Sequence, residues 1–201
     1  MKIITVLKTS NEYKKEYVDL IYNQCKQHAP SAEFICISDD PTVPGYVKME
    51  HDWPRWWPKM EMFKIPGPAL YLDLDTIVVA DLSEIFLKAS QYEFVGIRDF
   101  YKDFRMQRTL GSGIMFWSGD MRYLYEEFLK DPQKNMSECT TNIWWGDQGF
   151  IEKTIKHHVV YWQDIVPRKI VSWKVHCKKG VPKDAHIIAF HGKPKPWEIK
   201  L

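Results

Sequence analysis

The first forty residues limit the fold most. Residues 3–7, Ile-Ile-Thr-Val-Leu, are apolar apart from Thr5 and read as one short buried strand. From 13 to 28 the pattern turns helical: Tyr13, Tyr17, Leu20, Ile21 and Cys25 fall on one face, and Pro30 stands just past the end. Residues 34–37 form a second apolar run, closed by the turn-forming Ser38-Asp39-Asp40-Pro41. Strand, helix, strand in this order is a βαβ opening, which predicts a parallel sheet covered by helices.

The same alternation continues. A short helix is expected over 57–65, with Pro58 tolerated in its first turn, and a break follows at Ile65-Pro66-Gly67-Pro68. Strands are expected over 69–74, 94–97, 114–117, 159–162 and 186–190. Helices are expected over 81–88 (Asp81 as N-cap), 120–129 and 147–156, with Asp147 placed to cap the last. Residues 99–110 are polar, basic and aromatic without a period, and read as a long loop over one end of the sheet. No repeat or linker interrupts the 201 residues, so a single domain over 1–201 is expected. With 45% hydrophobic residues a packed core is expected. A net charge of +2 argues against a nucleic-acid partner. Cys25, Cys36, Cys139 and Cys177 match no zinc spacing and read as free thiols. No run approaches the ~18 apolar residues of a membrane span. A cytoplasmic location is the expectation.

Residues 69–75, Ala-Leu-Tyr-Leu-Asp-Leu-Asp, carry the sharpest chemical signal. Read as a strand, they put Leu70, Leu72 and Leu74 on one side and Tyr71, Asp73 and Asp75 on the other. Two carboxylates at the end of an apolar strand are costly unless their charge is compensated. A hard divalent cation, Mn²⁺ or Mg²⁺, compensates it and shares its remaining positions with phosphate oxygens. The other reading is a pair of loop-capping aspartates. The end of the chain, Phe190-His191-Gly192-Lys193-Pro194-Lys195-Pro196-Trp197, is a stiff turn bearing one imidazole and two ammonium groups. Beside a metal-binding pair it reads as the other wall of a diphosphate site; alone it reads as a solvated basic tail.

These segments together resemble the glycogenin-like glycosyltransferases, glycosyltransferase family 8 and its relatives. Tyr71-Leu72-Asp73-Leu74-Asp75-Thr76 looks like that family's metal motif, and residues 192–197 look like its C-terminal G-x-x-K-P-W signature. The resemblance implies an α/β fold of the GT-A, Rossmann-like type with a mixed, mostly parallel central sheet. It implies Asp73 and Asp75 as metal ligands, and Lys195, Gly192 and Lys59 at the donor diphosphate. Thr5, Val6 and Leu7 would lie under the nucleoside, and Ser112 and Gly113 would line the donor-sugar pocket. Asp147 and Gln148 would stand near the reacting carbon. Two departures from the family pattern are visible. Its metal-binding His stands where this chain has Ala189, which makes His191 the candidate third ligand. Its sugar-pocket Asn stands where this chain has Gly111. The implied activity is metal-dependent transfer of a sugar from a nucleoside-diphosphate sugar, a UDP-sugar, to a hydroxyl acceptor with retention. Two alternatives stand: a haloacid-dehalogenase-like phosphatase using the paired aspartates, and a non-catalytic carbohydrate-binding module. Oligomeric state, donor sugar and acceptor are not legible.

Overall fold

The computed structural model describes residues 1–100 and 110–199. Most of the expected 99–110 loop therefore lies outside the described residues. The described chain runs β1 (Lys2–Leu7), α1 (Lys15–His28), β2 (Glu33–Ser38), β3 (Tyr46–Lys48), a 3₁₀ helix (Trp57–Lys64), β4 (Ala69–Leu72) and β5 (Thr76–Val78). It continues α2 (Ser83–Ala89), β6 (Phe94–Arg98), β7 (Leu110–Trp117), α3 (Arg122–Leu129), α4 (Pro132–Glu138) and α5 (Gly146–Thr154). The last elements are β8 (Val160–Tyr161), α6 (Trp162–Ile165), β9 (Ile170–Ser172), α7 (Trp173–His176), β10 (Ile187–Ala189) and a second 3₁₀ turn (Pro196–Glu198).

The main sheet has seven strands in the order β3-β2-β1-β4-β7-β6-β8. Its first four are mutually parallel, as the βαβ opening requires. β7 then runs antiparallel to both β4 and β6, and β8 returns parallel to β6. The sheet is mixed and mostly parallel. Alternation along β4 divides the core: Leu70 and Leu72 join the cluster containing Val18, Ile21 and Cys25 of α1, while Ala69 and Tyr71 join the opposite one with Met60, Phe63 and Phe128. A second, three-stranded sheet of β5, β10 and β9 sits apart from the first.

Several local expectations are corrected. The buried stripe of α1 is Val18, Ile21 and Cys25, whereas Leu20 is 40% exposed. Tyr13 and Tyr17 turn instead to the C-terminal Trp197. The strand expected over 69–74 stops at Leu72. Asp73 to Thr76 is a tight turn, in which the Thr76 N–H (3.0 Å) and hydroxyl (2.6 Å) both donate to the Asp73 carbonyl. The aspartates therefore share a cleft because of a turn, not because of strand alternation. Asp147 does not cap its helix; Trp145 holds the N-cap position and Asp147 lies buried in the first turn. The expected strand 159–162 is only Val160–Tyr161, because Trp162 opens α6 and buries its indole, whose N–H donates to the Ile114 carbonyl at 3.0 Å. β3, β5, β9, α4 and α7 were not foreseen; each is seven residues or fewer, too short to carry a clear period. The 3₁₀ helix buries Lys59 and Glu61, which composition alone would have left in solvent. Glu61 is satisfied there by the Glu50 and His51 N–H groups and by Lys64 at 2.8 Å. All four cysteines are free and buried, and burial pushes the Cys25 and Cys36 thiols up to about 12. No described helix is long and apolar enough to cross a membrane.

Candidate active site

The carboxyl ends of the parallel strands β1 and β4 and the amino end of the antiparallel β7 meet at one edge of the sheet, where the Asp73 N–H donates to the Gly113 carbonyl at 2.8 Å. That is the edge at which open α/β sheets take ligands. A cleft of about 980 Å³ opens there. Its walls come from stretches of chain far apart in sequence: the end of β1, the 3₁₀ helix, the Asp73–Thr76 turn, the end of β6, the start of β7, the start of α5, Lys174 of α7 and the segment after β10.

Lys59 is the hub of one half of the site. Its ammonium lies 3.0 Å from Asp73 Oδ1 and 2.9 Å from Asp147 Oδ2, and it donates to Ser112 Oγ at 3.0 Å. Burial pulls the Lys59 pKa downward, but the Asp147 and Asp73 charges outweigh it and hold the group above its usual value. The Tyr71 hydroxyl donates to Asp73 Oδ1 at 2.6 Å. Burial, then the Asp73 charge, push that phenol well above its ordinary range. Asp73 is thus held from two sides, while glycine at 113 keeps a third side open: a Cβ there would stand 3.2 Å from Asp73 Oδ2.

Asp75 and Lys195 form the other half. Lys195 is only 6% exposed, and its ammonium donates to Asp75 Oδ2 at 2.6 Å and to the Tyr13 hydroxyl at 2.8 Å. Burial and the nearby Asp73 push the Asp75 pKa up to about 6, against the opposing pull of Lys195. The small sheet brings these residues together across 120 positions of sequence. Ala189 of β10 pairs with Thr76, and the Phe190 N–H donates to the Asp75 carbonyl at 2.9 Å. Trp197 then pins the tail by stacking on Tyr17, ring centroids 3.6 Å apart. Lys193, two residues before Lys195, pairs with Glu198 at the surface instead.

The remaining expected residues divide. Val6, Ser112, Gly113, Gln148, His191 and Gly192 line the cleft. Thr5 and Leu7 are fully buried within the sheet and do not line it. His191 Nε2 lies 2.7 Å from Ser172 Oγ, and burial, then Lys174, lower its pKa, which favours the neutral ring. Among the described residues no three His, Cys, Asp or Glu side chains gather as a metal cage, so His191 does not join the aspartates in this arrangement. Gly111 has a packing reason: a Cβ there would approach Ile97 Cγ2 to 2.8 Å, so a side chain is disfavoured. Sequence reasoning missed Tyr13 and Lys174, and it read the Trp56-Trp57 and Trp144-Trp145 pairs as core or subunit contacts more often than sugar platforms. Trp57 is core, but Trp56 and the half-exposed Trp145 line the cleft. Tyr71 was the readable one, since it shares the carboxylate face two residues before Asp73.

A hard cation fits this donor set. Two carboxylates reach one open cleft, and a cation there would complete its shell with phosphate oxygens and water, as Mg²⁺ and Mn²⁺ commonly do. No family model and no curated protein sequence matches the chain. Solved structures do. The galactosyltransferase LgtC, in complex with donor and acceptor sugar analogs, superposes with a TM-score of 0.63 at 12% identity, covering 98% of this chain and 89% of LgtC. The glycosyltransferase GlyE of Streptococcus pneumoniae TIGR4 gives 0.69 at 12% identity over 97% of this chain and 56% of GlyE. The bifunctional glycosyltransferase WbbM gives 0.55 at 11% over 97% of this chain and 46% of WbbM. At such identities the likeness is one of fold, and the chain is built on the GT-A-type fold of these glycosyltransferases.

Proposed function

We propose that the protein is a metal-dependent glycosyltransferase. It takes a sugar from a nucleoside-diphosphate sugar, a UDP-sugar, and passes it to a hydroxyl acceptor with retention at the anomeric carbon. The observation that carries this reading is the convergence of Asp73, Asp75, Asp147, Lys59 and Lys195 on one cleft at the carboxyl edge of the sheet. Three acids and two ammonium groups suit a site that must hold a cation and then a diphosphate. The likeness in fold to LgtC, solved with donor and acceptor sugar analogs, supports the same class of substrates.

Asp73 and Asp75 hold Mn²⁺ or Mg²⁺, which when bound supplies Lewis-acid stabilisation of the leaving diphosphate. Lys59 and Lys195 stabilise the same developing charge. Val6 borders the nucleoside end and Ser112 and Gly113 the sugar. Asp147 and Gln148 face the reacting carbon. His191, whose Nε2 is engaged by Ser172, is the candidate third ligand.

A thermal-shift screen of nucleotide sugars with and without Mn²⁺ tests the reading. A ligand at 100 times its Kd stabilises the fold by about 2.7 kcal/mol, so the matching donor should raise Tm only when the metal is present. Asp75→Ala should bind UDP equally with and without Mn²⁺, whereas His191→Ala should keep part of the metal dependence. Metal-dependent UDP binding that survives intact in a folded Asp75→Ala protein would sink the assignment.

The raised pKa of Asp75 adds a pH signature. A cation binds the ionised carboxylate, and the protonated form predominates below about 6. Mn²⁺ affinity should therefore fall by roughly tenfold per pH unit below that point and level off above it. Calorimetric titration of Mn²⁺ between pH 5 and 8 reads this directly. A flat profile would mean that Asp75 stays ionised throughout this range or is not a ligand.

A further inference from the structure

Four lysines line the cleft, and Lys174 differs from the other three. Lys59 sits between Asp73 and Asp147, and Lys195 sits on Asp75. Lys8, at the rim, pairs with Asp52 and donates to the Trp53 carbonyl at 2.8 Å. Arg55, exposed, lies over the Trp56 ring. Lys174 lines the same cleft, half-buried, and its ammonium makes no hydrogen bond or ion pair among the described residues.

Its position is built. Lys174 lies on α7, which follows β9 directly, and β9 pairs in parallel with β10. The start of α7 is fastened twice: Ser172 Oγ accepts the Val175 N–H at 3.2 Å, and His176 Nδ1 accepts the Ser172 N–H at 2.9 Å. β10 leads to His191 and Gly192. Gly192 has φ +70°, a left-handed conformation that favours glycine, and a Cβ added there would stand 3.1 Å from Lys174 Nζ. The ammonium therefore lies close over the turn that carries Lys195, where any side chain at 192 would crowd it. Lys174 also contributes to the lowered pKa of His191, after burial, so its charge is felt at that segment.

Charge balance says what it awaits. At the centre of the cleft, Asp73, Asp75 and Asp147 against Lys59 and Lys195 leave one negative charge, while on the rest of the lining Glu12 and Asp99 offset Lys8 and Arg55. A divalent cation on the aspartates turns this into one positive charge. The diphosphate of a nucleotide sugar brings two negatives. One more cation completes neutrality in a partly desolvated cleft, where an unbalanced charge is costly. From this we infer that Lys174 is a donor-binding residue, a third ammonium contacting the diphosphate from the side of Gly192. The inference rests on the nucleotide-sugar reading proposed above.

The test uses the full chain with UDP, UMP and uridine in Mn²⁺, measured by calorimetry for wild type, Lys174→Met and Lys174→Arg. Methionine keeps the apolar stem and removes the charge. Losing one charge-assisted phosphate contact should weaken UDP by ~10-fold or more, leave uridine unchanged, and reduce the salt dependence of UDP binding. Arginine should restore most of the affinity. Because the ammonium has no hydrogen-bond or ion-pair partner among the described residues, Lys174→Met should keep the wild-type Tm, so a loss of binding cannot be assigned to unfolding. Wild-type protein that binds UDP while Lys174→Met binds it within twofold would overturn the inference and leave the donor reading standing. Equal weakening of UDP and uridine would also overturn it, since the lysine would then act on the pocket's shape. Wild-type protein that binds no UDP would overturn both.

Discussion

Lys195→Ala should lower kcat by ~10²–10³-fold, the usual cost of removing one donor aimed at developing charge, while donor affinity falls far less. The diphosphate gains negative charge as the glycosidic bond breaks, so an ammonium beside it acts more strongly in the transition state than on the bound donor. Lys195 is well placed for this, being nearly buried and fixed by Asp75 and the Tyr13 hydroxyl. Lys193 is the internal control. It shares the turn but is exposed and pairs with Glu198, so Lys193→Ala should leave kcat close to wild type. The comparison needs kcat and donor affinity for both variants in saturating Mn²⁺. Equal, small effects would return the C-terminal segment to a solvated basic tail.

Lys59→Ala should show its largest effect in stability. Lys59 is 9% exposed, and its ammonium is shared by Asp73 and Asp147, of which Asp147 is itself buried. Removing it leaves two carboxylates without their counter-charge. Breaking a buried pair from one side typically costs ~3–5 kcal/mol. Urea unfolding of the metal-free protein at pH 7 should register a loss in that range. Lys59→Ala with Asp147→Asn should recover part of it, because one orphaned charge then disappears. Mn²⁺ should also rescue the single variant, since a cation on Asp73 replaces the missing positive charge. A loss below ~1 kcal/mol would show that solvent reaches these acids and that Lys59 is an ordinary surface pair.

The halves of the molecule differ in how much of them could be read. The βαβ opening was legible because β1, α1 and β2 are local: each announces itself by periodicity within a dozen residues, and short right-handed crossovers leave little choice of topology. The apolar run before Asp73 and Asp75, and the lysine-bearing turn at residues 192–197, were legible as chemistry, since charge at such places needs a partner. What paired with what was not legible. The aspartates lie on a turn that strand alternation would not produce, because Thr76 uses both its N–H and its hydroxyl to close it. Asp147 read equally well as a helix cap until its side chain was seen on Lys59.

The sequence by itself determined the class of fold, the edge-forming acids and the kinds of charge the site would need, because these follow from local periodicity and residue chemistry. Tertiary structure decided the rest. β5, β10 and β9 are only three residues each, too short to carry a pattern, yet their pairing carries Phe190 to Asp75 and so brings Lys195 onto the Asp73–Thr76 turn. The same small sheet sets Lys174 over Gly192, and it leaves His191 on Ser172 instead of on the aspartates. The physical reason is that a non-local ladder of a few hydrogen bonds fixes register without any signature in composition. A single residue of slip in such a ladder would turn every one of these side chains to the opposite face.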